Sequence, residues 1–170
     1  MSDAYEQRFR GGSRPLGKPV REYVYRDEAG TPLFRVMRYE PKDFRAHKFL
    51  GYKGQLPQWD TRLGDARLVL YHLPELRTAI TAGVAPIYVC EGEKDVENVE
   101  GAGGVATTMP FGAGKWRDDY REHLRGAQHV IVIADVDGPA GNYAGERHAQ
   151  AVATSLVRAG FLVQIRQPAV

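Results

Sequence analysis

The chain has 170 residues, of which 43% are hydrophobic and 26% charged, enough for one compact core with an appendage. Its single cysteine, Cys90, excludes a disulfide framework and a cysteine-rich zinc module, so we expect a reducing compartment, the cytoplasm. The net charge of +2 conceals a basic front, since residues 1–53 hold 12 Lys or Arg against 7 Asp or Glu. No apolar run is long enough to span a bilayer, and we expect no membrane partner.

The beginning of the chain predicts a tail followed by a hairpin. Residues 1–19 are polar and rich in Gly and Pro, which predicts a flexible tail. Residues 20–25 and 33–39 are rich in β-branched and aromatic side chains. They flank a turn sequence that contains Asp27 and Gly30, so a β-hairpin is predicted here.

The next stretch, residues 41–67, has no clear periodicity and is expected to be a loop-rich connection. It carries lysines and arginines that can neutralise the phosphates of a nucleic acid. We therefore expect a basic, β-rich subdomain over residues 20–72, with nucleic-acid contacts from Lys42, Arg45 and Lys48.

Over residues 73–170, short apolar runs alternate with helical patterns. Pro74 and Gly83 mark the start and end of one helix, and residues 145–159 carry the apolar spacing of another. Strands are predicted at four apolar runs, residues 87–90, 105–108, 130–134 and 161–165. This alternation predicts an α/β domain of parallel βαβ units, with ligands bound beyond the carboxyl ends of the strands.

Two of these strands run directly into acidic residues. Glu91 follows the first strand, and Asp135 and Asp137 follow the third. Carboxylates at the ends of neighbouring parallel strands converge, and their repulsion is costly unless a cation compensates for it. Hard oxygen ligands without a histidine cluster favour Mg²⁺ or Mn²⁺ over zinc. The sequence therefore predicts a Mg²⁺ or Mn²⁺ site at this edge of the sheet.

The sequence resembles a known family at these motifs. E-G-E-K-D after one strand and D-V-D after a later one resemble the Toprim domain of bacterial-type primases, topoisomerases and some nucleases. YVYRDEAGTPLFRVMRYEPKDFR, LVLYHLPEL and VATTMPFGAGKW resemble the primase-like part of phage and mobile-element primase-helicase proteins. The resemblance covers most of the chain from residue 20. It implies a Toprim-like Rossmannoid parallel sheet flanked by helices, with an N-terminal β-hairpin appendage.

The resemblance also implies roles for the acids. Glu91 matches the family's glutamate in acid–base work or metal binding, and Asp135 and Asp137 match the acidic pair that holds the metal. Asp95 matches a secondary acid. Metal ions at such a site would neutralise charge on the transferred phosphoryl group and orient the attacking 3′-hydroxyl. The implied function is Mg²⁺-dependent nucleotidyl transfer, with nucleotides and a single-stranded DNA template as substrates of RNA primer synthesis.

Further expectations concern the substrate and the partners. Lys94, and Lys115 in the glycine-rich FGAGKW stretch, are expected to meet phosphate or nucleic acid. Trp116 can stack on a base or fill the core, and the core is favoured. Residues 138–144 resemble an insertion into the family pattern, beside the metal site. A zinc-binding module and a replicative helicase are expected on a separate chain or missing segment, so the isolated chain should be a poor primase.

Alternative functions remain open. A Toprim module can bind metal and DNA without independent catalysis, and the same acids support a nuclease when water replaces the 3′-hydroxyl. VIVIADVDG also resembles the first motif of haloacid-dehalogenase-type phosphatases, with Asp135 as nucleophile and Asp137 as general acid. That reading is less favoured, because those enzymes need a later lysine and none follows Asp137.

Overall fold

A computed structural model describes residues 17–136 and 141–167 of the chain, which divides into two compact units. The first unit comprises Pro32–Arg67 with the described residues before Arg26. The second comprises Arg26–Thr31 and the chain from Leu68 onwards. In the described ranges, no helix combines the length and apolar character that a bilayer crossing requires.

The first unit is a four-stranded sheet in the order β1-β2-β3-β4. Its strands are β1 Lys18–Arg26, β2 Pro32–Glu40, β3 Asp43–Lys53 and β4 Leu56–Trp59. Alternate residues of β2, among them Phe34 and Val36, are buried, and Tyr25 of β1 stacks on Phe34 with ring centroids 4.5 Å apart. The turn between β1 and β2 places Gly30 at a φ of 85°. The predicted hairpin is therefore confirmed.

The prediction that residues 41–67 form a loop-rich connection is wrong, because β3 and β4 lie within this range. β3 buries only Ala46, so it lacks the alternation of buried apolar side chains by which a strand is recognised in sequence. Its conformation is fixed instead by antiparallel backbone pairing with β2 on one side and β4 on the other. Phe49 adds an edge contact with Trp59, at 5.4 Å between ring centroids.

The second unit contains a four-stranded sheet in the order β6-β5-β7-β8, and every pairing in it is parallel. Its strands are β5 Ile87–Val89, β6 Val105–Thr107, β7 Val130–Ile133 and β8 Val163–Arg166. All four apolar runs that predicted strands are confirmed. β5 and β7 are adjacent at the centre of the sheet. The acids that follow them in sequence therefore lie at the middle of its carboxyl edge.

The helices of the second unit cover both faces of this sheet. They are α1 Leu73–Thr81, α2 Glu93–Gly101 and α3 Ala144–Arg158, with a 3-10 helix at Asp118–Leu124. Right-handed crossovers place α2, which leads from β5 to β6, on one face, and α3, which leads from β7 to β8, on the other. The 3-10 helix packs against α3. The predicted α/β class, with a parallel sheet flanked by helices and an N-terminal hairpin, is confirmed.

The segment before α1 is bonded to the end of β6. The Tyr71 backbone N–H donates to the Thr108 carbonyl at 2.9 Å, and the Thr107 hydroxyl donates to the Tyr71 carbonyl at 2.7 Å. Both threonines are fully buried. The Thr107 carbonyl also accepts from the Cys90 N–H at 2.9 Å. The carboxyl end of β6 is therefore bonded both to the segment before α1 and to the residue that follows β5.

Candidate active site at the carboxyl edge of the parallel sheet

Glu91 and Asp135 each lie two residues beyond the end of a central strand, β5 and β7 respectively. The two strands pair in parallel register, with Val89 opposite Val132. Continuation of this register by two places sets Glu91 opposite Ala134, the residue before Asp135. The structure therefore brings both acids to the same edge of the sheet, one place apart in register. The Oε2 atom of Glu91 is shielded from solvent there.

Asp95 belongs to the same edge, because α2 begins two residues after Glu91. Gly92 is the N-cap of α2, and a Cβ added to it would lie 3.5 Å from Oδ2 of Asp95. The carboxylate of Asp95 thus lies over the turn between β5 and α2. Its charge is favourable in the first turn of the helix, where the backbone N–H groups present a positive end.

The thiol of Cys90 lies at this edge, between the end of β5 and Glu91. Burial, followed by the negative charges of Asp95, Asp135 and Glu100, raises the pKa of Cys90 to about 12. Asp95 and Asp135 are therefore both close enough to the end of β5 to act on one atom. These carboxylates favour a cation at this edge.

The first turn of α3 packs directly on Asp135. A Cβ added to Gly145 would lie 2.6 Å from the Asp135 carbonyl oxygen and 2.8 Å from the Asp135 Cβ. Only a residue without a side chain fits this contact, so Gly145 fixes where the acid sits against the helix. The sequence analysis did not single out Gly145, since one glycine near a helix start carries no signal by itself.

Glu146, the next residue of α3, was also missed. Its Oε2 atom is buried and has no hydrogen-bond partner in the described part of the chain. A sequence signal existed, because the residue is an acid in the first turn of a predicted helix that follows the D-V-D motif. Its position beside Gly145 places a further carboxylate in the turn that touches Asp135.

The glycine-rich stretch that follows β6 reaches from one side of this edge to the other. The backbone is left-handed at Phe111, Gly112 and Gly114, with φ between 75° and 76°. The Gly114 N–H donates to Nδ1 of His148 in α3 at 3.1 Å. Since β5 lies between β6 and β7 in the sheet, this bond carries the loop past β5, the strand that precedes Glu91. Burial lowers the pKa of His148, which keeps its Nδ1 free to accept the bond at neutral pH.

The two lysines that were predicted to bind phosphate in the second unit are available to an anion. Lys94 is exposed in the first turn of α2, and Lys115 follows Gly114 in the glycine-rich loop. Neither forms an ion pair with any residue that the structure describes. Both belong to segments that follow the carboxyl ends of strands, as do Glu91 and Asp135.

The predicted basic residues of the first unit differ in their pairing. Nζ of Lys48 lies 2.5 Å from Oδ1 of Asp65, and Nη2 of Arg45 lies 2.9 Å from Oδ2 of Asp43. Lys42 is exposed and has no ion-pair partner within residues 17–136 and 141–167. Lys42 is therefore the most available of the three cations for an external phosphate.

The ligand set predicted for Mg²⁺ is described only in part. Asp137 and residues 138–140 lie outside the described residues, and with them the first three residues of the predicted insertion at 138–144. Among the residues that are described, no three His, Cys, Asp or Glu side chains are grouped as metal ligands. The donors that are present nevertheless suit a hard divalent cation, since Glu91 and Asp135 offer carboxylate oxygens.

Comparison with known proteins identifies the fold. No protein-family model and no curated protein sequence matches the chain. The structure matches the primase fragment of the bacteriophage T7 primase-helicase protein with a TM-score of 0.58 and 21% identity, over 85% of this chain and 51% of that one. It matches a DNA primase domain from Pseudomonas aeruginosa with a TM-score of 0.60 and 20% identity, over 86% and 42%. It matches the DnaG primase catalytic domain bound to ssDNA with a TM-score of 0.55 and 18% identity, over 87% and 44%.

These structural neighbours are a fragment or domain of a phage primase-helicase, of a bacterial DNA primase and of the DnaG primase. The chain therefore has the primase Toprim-like fold that its sequence resemblance implied. It spans about half the length of the structures that it matches.

Proposed function

We propose that this chain is the Toprim domain of a DNA primase-type protein. Its activity would be Mg²⁺-dependent nucleotidyl transfer, the synthesis of an RNA primer on a single-stranded DNA template. The observation that supports this function best is the arrangement of Glu91 and Asp135 after adjacent parallel strands, in a fold shared with primase catalytic domains. Glu91, Asp135 and Asp137 would hold the metal, and Asp95 would support them.

Mg²⁺ or Mn²⁺ at this edge would neutralise charge on the transferred phosphoryl group and favour ionisation of the attacking 3′-hydroxyl. The chain's own cations have a separate task. Lys94 and Lys115 would bind the phosphates of the incoming nucleotide, and their ammonium groups have no ion-pair partner to leave among residues 17–136 and 141–167. The bond between Gly114 and His148 would hold the loop of Lys115 in place before the nucleotide arrives.

The first unit would bind the template. Residues 1–53 carry an excess of positive charge, and release of counterions from the bound strand would give salt-dependent affinity. Lys42 would contribute directly, whereas Lys48 and Arg45 would exchange a carboxylate for a phosphate. A zinc-binding module and a replicative helicase would be the partners that capture the template and deliver it.

A primer-synthesis assay with the purified chain tests this function. The chain is incubated with single-stranded template, labelled ribonucleotides and Mn²⁺, with and without a supplied primer. Extension should be more efficient than initiation, because a paired 3′-end supplies the alignment that the partners would otherwise provide. Glu91→Gln should abolish incorporation, and Glu75→Gln, at an exposed position of α1, should not.

The same assay separates the competing functions. Cleavage of the strand without incorporation, lost in Glu91→Gln, would identify a Toprim nuclease. Binding of Mn²⁺ and DNA with neither reaction would identify a module that depends on other chains for catalysis. Incorporation that persists in Glu91→Gln would contradict the proposed site itself.

A further inference from the structure

A cleft of about 550 Å³ lies between the 3-10 helix and α3 in the second unit. Three arginines line it, Arg121 from the 3-10 helix and Arg147 and Arg158 from α3. Asp118 is the one acid among the described residues of its walls, so the lining carries two net positive charges. Trp116 forms part of the same wall. The proposed polymerisation site uses none of these residues.

The arginines are spread along the cleft. Arg147 and Arg158 are eleven residues apart on α3, which separates them by about 16 Å along the axis and leaves them on nearly the same face. The guanidinium of Arg147 donates to the Asn142 carbonyl near the start of α3, so it is held at that end. Arg158 is exposed at the other end and has no polar partner among the described residues. An extended chain of phosphates can contact both, whereas a single phosphate group cannot.

Asp118 has a structural task that explains its presence in a basic cleft. Its Oδ1 accepts a hydrogen bond from the Ser155 hydroxyl at 2.6 Å, which joins the 3-10 helix to α3. The Nε of Arg121 donates to the Asp118 carbonyl at 2.8 Å, which places a cation beside the carboxylate. The carboxylate thus holds the two walls together, at the cost of repelling an anion in the cleft.

Trp116 gives the cleft an aromatic side. Its ring is half-buried and rests edge-on against Tyr120, with centroids 5.7 Å apart and planes at 70°. The sequence analysis favoured a core position for Trp116, and the structure places it at the margin of the core, in the cleft wall. Guanidinium groups spaced along a groove, together with an aromatic ring, are the combination that binds single-stranded nucleic acid without reading its sequence.

We propose that this cleft is a second binding site for single-stranded nucleic acid, which runs along α3 from Arg147 to Arg158 with a base against Trp116. The inference rests on the proposed function only in that nucleic acid is the substrate class. The length of the arginine row and the aromatic wall favour a nucleic acid over a free nucleotide. An acidic peptide would complement the charge of the arginines but would have no base to stack on the Trp116 ring.

Trp116 itself can report whether the cleft is occupied. The chain has two tryptophans, and the other, Trp59, belongs to the first unit. In a Trp59→Phe background, fluorescence from Trp116 should be quenched when an oligonucleotide of about 12 thymidines is added with EDTA present. EDTA removes the divalent ions, so the signal does not depend on the polymerisation site. Poly-glutamate should leave the fluorescence unchanged.

Substitutions in the cleft give opposite effects according to charge. Arg158→Ala should weaken oligonucleotide binding about two- to fivefold and lower the salt slope by about 1. Asp118→Asn should strengthen binding, because it removes the negative charge and leaves an oxygen that accepts from Ser155. A merely structural role would not raise the affinity. Arg166→Ala, on β8 and outside the cleft, is the matched control and should have no effect.

The ring is tested by a second pair of variants in the wild-type background. Trp116→Leu should lower the affinity for the oligonucleotide at least fivefold, and Trp116→Phe should restore most of it. An abasic oligomer with the same phosphate spacing should bind both variants equally. Thermal unfolding of each variant checks that the fold is retained.

Three results would overturn the inference. Oligonucleotide binding detected by anisotropy without quenching of Trp116 would place the strand elsewhere. Equal affinity of the Arg158→Ala, Asp118→Asn and parent chains would remove the charge argument. Quenching by poly-glutamate but not by the oligonucleotide would assign the cleft to a protein partner. Incorporation that persists in Glu91→Gln, or none by the parent chain, would contradict the proposed function. Normal quenching of Trp116 in the same chain would still leave this site standing, so the two proposals fail separately.

Discussion

Substitution of Gly145 by alanine should displace Asp135 and so disturb the proposed metal site. The added Cβ would lie 2.6 Å from the Asp135 carbonyl oxygen, and such contacts are essentially never shorter than 3.0 Å. Asp135 or the start of α3 must therefore move by at least about 0.4 Å, which exceeds the ±0.2 Å or so within which a metal's ligand distances are held. The nearest atoms are backbone and Cβ atoms rather than the end of a flexible side chain, so little local relief exists.

The expected loss of stability is the balance of two effects. Overpacking costs about 1–3 kcal/mol, while alanine gains about 1 kcal/mol over glycine in a helix. The net change in the free energy of unfolding should therefore be a loss of up to about 2 kcal/mol. Affinity for Mn²⁺ should fall in addition, because Asp135 is displaced.

Chemical denaturation and calorimetric titration with Mn²⁺ measure the two quantities. Gly101→Ala is the matched control, since Gly101 ends α2 and an added Cβ there meets nothing within 4 Å. That variant should be equally or more stable and should bind Mn²⁺ normally. If Gly145→Ala is as stable as the control and binds Mn²⁺ as the parent does, the contact with Asp135 does not constrain the site.

Three other predictions concern the bonds around this edge and the basic first unit. Burial lowers the pKa of His148 from its usual 6.5, so as the pH falls below 6.5 the unfolded chain takes up the proton first and the folded state loses stability. Denaturation at about pH 7.5 and about pH 5 should show a drop in unfolding free energy that is smaller in His148→Gln. Thr107→Val should lower the unfolding free energy by about 1–3 kcal/mol, because the buried Tyr71 carbonyl loses its 2.7 Å donor. A value equal to the parent's would mean that water or another group replaces this bond. Affinity for single-stranded DNA and its dependence on salt should both fall in the triple alanine variant of Lys42, Arg45 and Lys48. Binding by the parent chain that is unchanged between low and moderate salt would contradict the electrostatic account.

The strands of the parallel sheet could be predicted, because each of them is a short apolar run in the sequence. Val130–Ile133 is a continuous apolar run that leads through Ala134 to Asp135, and a strand with helices on both faces needs no alternation of apolar and polar residues. β3 could not be predicted in the same way, because it buries only Ala46 and is held by pairing on both edges. Such a strand is specified by its neighbours rather than by its own pattern.

The site was predictable where residue type and strand position coincide. Glu91 and Asp135 stand at strand ends, so topology alone brings them to one edge. Gly145 and His148 contribute through contacts between segments distant in sequence, with Asp135 and with Gly114 respectively. A single glycine or histidine within a helical pattern gives no sequence signal for a contact with a distant segment. The roles of Gly145 and His148 were therefore not predicted.

The most direct test of the proposed metal centre is the position of Mn²⁺ in a crystal of this chain. The ion can be located by its anomalous scattering after a soak with MnCl₂ and a nucleotide. We predict a peak at about 2.1 Å from carboxylate oxygens of at least two of Glu91, Asp135 and Asp137. Carboxylates separated by more than about 10 Å, with no peak between them, would contradict a shared cation, since one bridging water adds little reach.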